Sequence, residues 1–283
     1  MRKINFEQGS EEWLNWRRSL LTATDAAILL GKSPYVTPYQ GWQRKLGLIP
    51  EQKSTPAMER GHRDEPVARE LFIKEYGINM IPCCVESEIH PFIGASLDGI
   101  SSCGEYILEV KSQRPVDKIP EMHMLQIQHQ LLSTDGIAKK AFYVSHWDGI
   151  NKTFEVYPDS EWQKEYLPKA KEFWKRVILF DAPPLSNKDY KDMNQVSSWY
   201  HFANEYKKIS AQIKQLEELK ENYKKELIAL CGDDSCLGAG IKALKKLVKG
   251  RVDYDSIPEL SHVNLEKYRK KSNTSWVIMV DQN

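Results

Sequence analysis

The chain has 283 residues, 41% hydrophobic and 28% charged, with 40 basic against 39 acidic side chains and a formal net charge of +1. This is the composition of a soluble globular protein of one large domain, or of one domain with an appendage. No run of eighteen apolar residues exists and MRKINFEQGSEEW lacks the apolar core of a signal peptide, so no membrane anchor and a cytoplasmic location are expected.

The near-zero net charge neither supports nor excludes a nucleic-acid partner, because a local groove can be basic in a neutral protein. Five cysteines, an odd number, fit a reducing compartment. Their spacing matches no zinc site, and neither a metal nor a disulfide is assigned to them.

In chain order, Ser10 before Glu11 and Glu12 predicts a helix start, with Trp13, Leu14 and Arg17 on one face. A short second helix is predicted between Thr24 as N-cap and Gly31 as stop. Its N-terminus could also hold an anion, with Arg17 in reach; Thr24 is either a plain cap or part of such a site. The Pro-rich stretch 32–56 reads as loop with a short helix in TPYQGWQRKLGL.

A longer helix is predicted over Ala57–Tyr76, with Gly61, Glu65, Ala68 and Phe72 on one stripe. Glu65 then faces inward, where a carboxylate must be paired to an arginine or bind a metal. Pro66 predicts a kink or restart beside it. Met80–Val85 and Ile89–Ala95 read as strands that lead into IGASLDGISSCGEYILEVK, the most informative stretch of the chain.

Asp98-Gly99 is a turn dipeptide between strand-like runs, which predicts a hairpin. On the second strand, alternation puts Tyr106, Leu108 and Val110 on one face and Ile107, Glu109 and Lys111 on the other. Asp98 and Glu109 would supply hard oxygens suited to Mg²⁺ or Mn²⁺. Lys111 could then stabilise charge on a phosphate under attack. Taken alone the pattern also fits a turn residue and a solvated strand pair.

A helix follows over about Glu121–Ser133, with Leu125, Gln128 and Leu132 on one stripe. Gln128 is either a satisfied core amide or a ligand. A hairpin across Asp148-Gly149 and a helix over Glu161–Phe180 come next, and Asp181-Ala182-Pro183-Pro184 marks a boundary, giving domains 1–185 and 186–283.

Beyond it Phe202, Tyr206, Ile209, Ile213, Leu216, Lys220, Tyr223, Leu227 and Leu230 form a heptad seam broken once, at Lys220. Such a helix packs on the chain's own tail, on a second copy or on a partner. Strands are favoured over 237–255, a helix over His262–Lys270 and a final strand over Thr274–Val280.

Five blocks, WRRSLLTATDAAILLG, ERGHRDEPVARELF, IGASLDG, LEVK and MLQIQHQL, occur in the order and spacing of one family. Over residues 8–180 the chain resembles the lambda-exonuclease-like, YqaJ-type viral recombinase nucleases of the PD-(D/E)xK superfamily. The resemblance implies an α/β restriction-endonuclease-like fold, a central mixed sheet flanked by helices, here with a C-terminal extension that contains the heptad helix. It implies Asp98 and Glu109 as metal-binding carboxylates, the Val110 carbonyl as a further ligand and Glu65 as the acid that completes the site. Lys111 would be the catalytic lysine and Gln128 a polar residue lining the site. Arg17 and Thr24 would bind a terminal 5′-phosphate, although family members often carry serine where this chain has Thr24.

The implied activity is Mg²⁺-dependent 5′→3′ digestion of double-stranded DNA ends for phage-type recombination by single-strand annealing, with Mn²⁺ able to substitute. An annealing protein and further copies of the chain are the implied partners, in the cytoplasm of a bacterial or phage-infected cell. An endonuclease or single-strand nuclease on the same fold, or a catalytically silent DNA-binding adaptor, are the alternatives.

Overall fold

The computed structural model describes residues 1–50 and 55–245. The helix expected over His262–Lys270, the strand over Thr274–Val280 and the last part of 237–255 lie outside the described residues. Six strands form one sheet in the order β1 (Arg2–Ile4), β2 (Met80–Glu86), β3 (Gly94–Ser101), β4 (Tyr106–Ser112), β5 (Lys140–Trp147) and β6 (Ile150–Val156). β4 and β5 run parallel and the other four neighbouring pairs antiparallel. A parallel pair needs a crossover, and the helix α5 (Glu121–Ser133) supplies it.

The alternation along β4 decides which helix covers which face. Ile107 joins Ile127 and Leu131 of α5 in one core cluster. Leu108 and Val110 point the other way, onto Ala68 and Phe72 of α4 (Pro56–Tyr76). Outside α5 a second layer forms from α2 (Asp25–Leu29), α3 (Pro38–Lys45) and α6 (Ser160–Leu179), joined through Ala26, Trp42, Leu125, Tyr166 and Phe173. The helix α1 (Glu11–Arg18) is capped by Ser10, whose hydroxyl accepts from the Trp13 amide, and buries Trp16 with Leu20 against Cys84. The mixed α/β sheet flanked by helices is the architecture expected.

Three local expectations fail. The strand expected over Ile89–Ala95 begins only at Gly94, after a turn in which the Ile93 amide bonds the His90 carbonyl. The hairpin turn lies at Ser101–Glu105, where Gly104 has φ +80°, and Asp98-Gly99 sits within β3. Gly99 is required there by close approach: a Cβ would stand 2.9 Å from Cβ of Met80 and 3.2 Å from Cβ of Leu108. The helix α4 also runs unbroken through Pro66. Ala68 and Phe72, both fully buried, anchor the segment beyond the proline against β4 and β5, and this packing outweighs one lost intrahelical bond.

The chain divides into two compact units, Met1–Lys191 and Asp192–Asn283. The first continues past the Pro183-Pro184 stretch because Thr37 Oγ1 donates to Asp189 at 2.5 Å, within a short 3-10 turn (Asn187–Asp189). In the second, α7 (Ser197–Cys231) is followed by a small hairpin, β7 (Cys236–Gly238) and β8 (Ile241–Ala243).

His129 on α5 ties the sheet to the outer layer. Its Nε2 lies 3.1 Å from the Gly94 carbonyl, which can only accept, so Nε2 carries the proton and Nδ1 accepts from the Tyr166 hydroxyl at 2.7 Å. Burial pushes this imidazole down to about 4 from an ordinary 6.5. Between those values the unfolded chain binds a proton that the folded chain refuses, so stability falls as pH falls through the window. Wild type should lose about 1.4 kcal/mol more per pH unit than His129→Gln between pH 6.5 and 4, read from urea unfolding of both proteins. Equal slopes would show that His129 does not titrate on unfolding.

Candidate active site

The site begins with a defect in strand pairing. Ile81 pairs with Ile100 and Cys83 with Leu97, so β3 carries an extra residue at Asp98-Gly99 relative to β2. On the other side the β3–β4 ladder holds only Gly99 with Leu108 and Ile100 with Ile107. A bulge of this kind re-aims a side chain. Here the Asp98 carboxylate accepts from the Val110 amide at 2.8 Å, replacing a ladder hydrogen bond with a side-chain one.

Beside it, Glu109 is almost wholly buried, with its side chain 2% exposed. It accepts from Lys111 Nζ at 2.5 Å and Gln126 Nε2 at 2.6 Å on one oxygen, and from Gln130 Nε2 at 2.5 Å on the other. Among the described residues Gln130 Oε1 is buried without a partner, which fits the amide orientation, since the reverse flip would aim an acceptor at a carboxylate. Glu65 on α4 accepts from Arg69 Nη1 at 2.8 Å, and the same nitrogen lies 2.8 Å from the Asp98 carbonyl. Arg69 therefore clamps α4 to the bulge.

Burial, then the neighbouring charges of Glu109 and Glu65, push the Asp98 carboxyl well above the usual carboxylate range, against the pull of Lys111 and the Val110 amide. Burial would depress the Lys111 ammonium, but Glu109 and Asp98 outweigh it and hold it above its ordinary value. Three acids that repel one another beside a resident lysine form a hard-oxygen donor set suited to a divalent cation. Among the described residues no three acidic, histidine or cysteine side chains close into a finished cage. The fit is one of chemistry, with Lys111 and Arg69 providing the counter-charge.

Gln128 is not part of this group. Its Nε2 donates to the Tyr157 carbonyl at 2.8 Å and its Oε1 accepts from the Asp159 amide at 2.9 Å, so it is a satisfied core amide on the outer face of α5. The glutamines that reach Glu109 are Gln126 and Gln130, one helical turn apart on the sheet-facing side. Their i, i+4 spacing was the available signal. It is masked because both faces of α5 are apolar, Leu125 and Leu132 outward, Ile127 and Leu131 inward.

Arg17 and Thr24 do meet, with Arg17 Nη2 donating to Thr24 Oγ1 at 3.0 Å and the guanidinium lying 4.5 Å over the Trp13 ring. The expected capping role of Thr24 is overturned: its hydroxyl makes no cap bond, and Asp25 reaches back to accept from the Thr22 amide and hydroxyl. The amides of Asp25 and Ala26 are bonded to the Thr22 and Ala23 carbonyls, so they form no open anion cradle. Burial would raise Asp25, but Lys45, 2.5 Å away, holds it below the ordinary carboxylate value. At the far end of β4, Arg60 bonds Ser112 and lies 4.8 Å over the Trp147 ring, with Arg114 at 5.9 Å from the same ring.

Residues 12–136, which span Arg17, Thr24 and the whole carboxylate cluster, match the family model of the YqaJ-like viral recombinase domain. A Bacillus subtilis (strain 168) relative, the uncharacterized protein YqaJ, is 27% identical over 191 residues, 64% of this chain and 60% of that protein. The chain thus spans about 60% of the length of this curated relative. Among solved structures, an alkaline exonuclease from Laribacter hongkongensis superposes with a TM-score of 0.51 at 22% identity, covering 60% of this chain and 93% of that one. The same enzyme in complex with dAMP gives the same values. These likenesses agree with the fold, and residues 12–136 are similar to a YqaJ-like viral recombinase domain.

Proposed function

We propose that this chain is a divalent-cation-dependent DNA exonuclease that resects duplex ends from 5′ to 3′ for recombination by strand annealing. The observation that carries the reading is the convergence of Glu65, Asp98, Glu109 and Lys111 at the β3 bulge. The similarity of residues 12–136 to a viral recombinase domain supports the recombination context, and the exonuclease-like fold supports the reaction class by analogy. Mg²⁺ is the proposed cation, with Mn²⁺ as a substitute. DNA ends, an annealing protein and further copies of the chain are the proposed partners, and residues 1–185 the proposed nuclease domain.

Asp98, Glu109, the Val110 carbonyl and Glu65 are the groups that would hold the cation. When bound it would polarise the scissile phosphate and ease deprotonation of the attacking water. Lys111 contributes a fixed positive charge beside the reacting phosphate, stabilising the negative charge that develops there. Gln126 and Gln130 lock both oxygens of Glu109, so the carboxylate keeps its orientation through turnover. Arg69 holds Glu65 and the bulge in one frame. Arg17 is the proposed contact for a terminal 5′-phosphate, working through its guanidinium and the Thr24 hydroxyl, without helix amides.

Three experiments test this reading. A linear duplex and a closed circle are incubated with the protein in Mg²⁺; digestion of the linear form alone is expected, and cutting of the circle would make the activity endonucleolytic. Asp98→Ala should abolish digestion in a folded protein, and Lys111→Ala should slow it by ~10²–10³. Full activity of Asp98→Ala would remove the metal assignment.

The glutamines separate by readout. Gln130→Leu should lower kcat by roughly 10–100-fold, the scale for losing a partner that orients a ligand. Gln128→Leu should lower Tm and leave kcat within a factor of about two, since removing a buried hydrogen-bonding group costs ~1–3 kcal/mol of stability. The opposite pattern would restore Gln128 to the site.

Arg17→Ala should slow 5′-phosphorylated duplexes by roughly ten- to more than a hundred-fold and leave 5′-hydroxyl duplexes nearly unchanged, for a charge-assisted contact of ~1.5–3 kcal/mol. Matched rates on the two ends, wild type against variant, decide it. Equal loss on both would make Arg17 a general DNA contact.

A further inference from the structure

The 35 residues of α7 bury no side chain among the described residues. Helices gain most of their stability in proteins by packing an apolar face. Yet Phe202 is 68% exposed, Leu216 64% and Leu230 83%, with Tyr206, Ile209, Ile213, Leu219, Tyr223 and Leu227 also exposed. All but Leu219 lie on one heptad seam, whose single polar member is Lys220. At the C-terminal half of α7 the β7–β8 hairpin turns the seam into a groove, walled by Leu216, Tyr223 and Leu227 on one side and by Ile241 and Leu244 on the other.

We propose that this groove receives the N-terminal half of α7 from a second copy of the chain, forming an antiparallel two-helix dimer. The register follows from the seam. In one antiparallel alignment Tyr206 faces the second copy's Leu230, Ile209 its Leu227, Ile213 its Tyr223 and Leu216 its Lys220. Every layer then pairs apolar with apolar, except at Lys220. There the lysine stem packs on the second copy's Leu216, and the ammonium reaches the adjoining Glu217 of that copy.

A parallel pairing would bring two Lys220 ammoniums into one layer, where like charges repel. It would also set Leu219 opposite Lys224. In the antiparallel alignment Leu219 meets its own symmetry mate across the two-fold axis, which accounts for an apolar residue at a flanking position that normally carries charge. The helix supplies both the lysine and its compensating glutamate, so the surface is self-complementary, as an isologous interface requires. The exposed seam amounts to an area on the order of 800 Å² per copy, the per-partner size of a stable interface.

The full-length protein tests this at concentrations on the order of 10 µM by size exclusion with light scattering. Wild type should be dimeric, and Ile213→Glu, a change at an exposed position, should give monomer with unchanged helix content by circular dichroism. Lys220→Glu should weaken the dimer at least tenfold, and Lys220→Glu with Glu217→Lys should restore it. Under mild oxidation Leu219→Cys should form a covalent dimer above the level that wild type reaches through its own cysteines, while Lys220→Cys should not. A monomeric wild type would overturn the proposal and leave the groove to the chain's own tail or to a foreign helix. So would a dimer that survives Ile213→Glu, and cross-linking through Lys220→Cys alone would overturn the antiparallel arrangement.

Discussion

One hydrogen bond organises the centre of this molecule, the acceptance of the Val110 amide by the Asp98 carboxylate. At that point β3 has an extra residue and its ladder with β4 has just ended. Two strands that part leave an unpaired amide in the interior, and an unsatisfied buried amide is costly. Asp98 removes the cost and is itself held beside Glu109 by doing so. The same bond therefore closes a gap in the sheet and sets the acid in place. β4 remains a regular strand, since its other edge pairs with β5 without a register shift from Tyr106 with Lys140 to Ser112 with His146.

Placing three acids near one another in a dry setting is unfavourable unless each is compensated. Glu109 shows how much compensation is needed: an ammonium and two amide donors converge on one buried carboxylate. Two of those donors come from α5, the crossover that the parallel β4–β5 pair demands. The topology of the sheet and the electrostatics of the acid thus rely on the same helix. Glu65 and Arg69 do the corresponding work from α4 on the opposite face, and the bond from Arg69 to the Asp98 carbonyl ties that helix to the bulge. Like charges held close by a frame built from both faces describe a site with a standing demand for positive charge, met at rest by Lys111.

Much of this was legible in the residues. Alternation along β4 separates Leu108 and Val110 from Ile107, Glu109 and Lys111, as observed, because a strand buried on both faces leaves no freedom in its period. Positions that depend on tertiary context were not legible. Asp98-Gly99 has the signature of a turn, and the reason for Gly99, a Cβ clash with Met80 and Leu108, involves strands remote in sequence. Pro66 has the signature of a break, which the burial of Ala68 and Phe72 overrides. Gln128 and the pair Gln126 and Gln130 sit on adjacent stripes of a helix buried on both sides, and nothing local says which stripe faces the acids. Thr24 looks like a cap, but backbone carbonyls take the first amides of α2, and the local side-chain acceptor is Asp25, paired with Lys45 and bonded back to Thr22.

The pairing of Asp25 with Lys45 has a structural consequence. Lys45 Nζ contacts the Asp25 carboxylate at 2.5 Å and donates to the carbonyls of Arg17 at 2.7 Å and Leu20 at 2.8 Å. One buried ammonium therefore closes the C-terminal end of α1 and balances the acid that starts α2. With both helix ends pinned, the backbone of Arg17 is fixed, and its guanidinium rests on Trp13 and Thr24. A charge meant only to solvate a surface needs no such support. Holding the backbone rigid while leaving the guanidinium on a hydroxyl and an aromatic face keeps its position at little cost. A hydroxyl is a weaker partner for guanidinium than a doubly charged phosphate, so a group of that charge would displace it. The local architecture thus treats Arg17 as a placed group, even though the helix amides once expected to share its work are already bonded elsewhere.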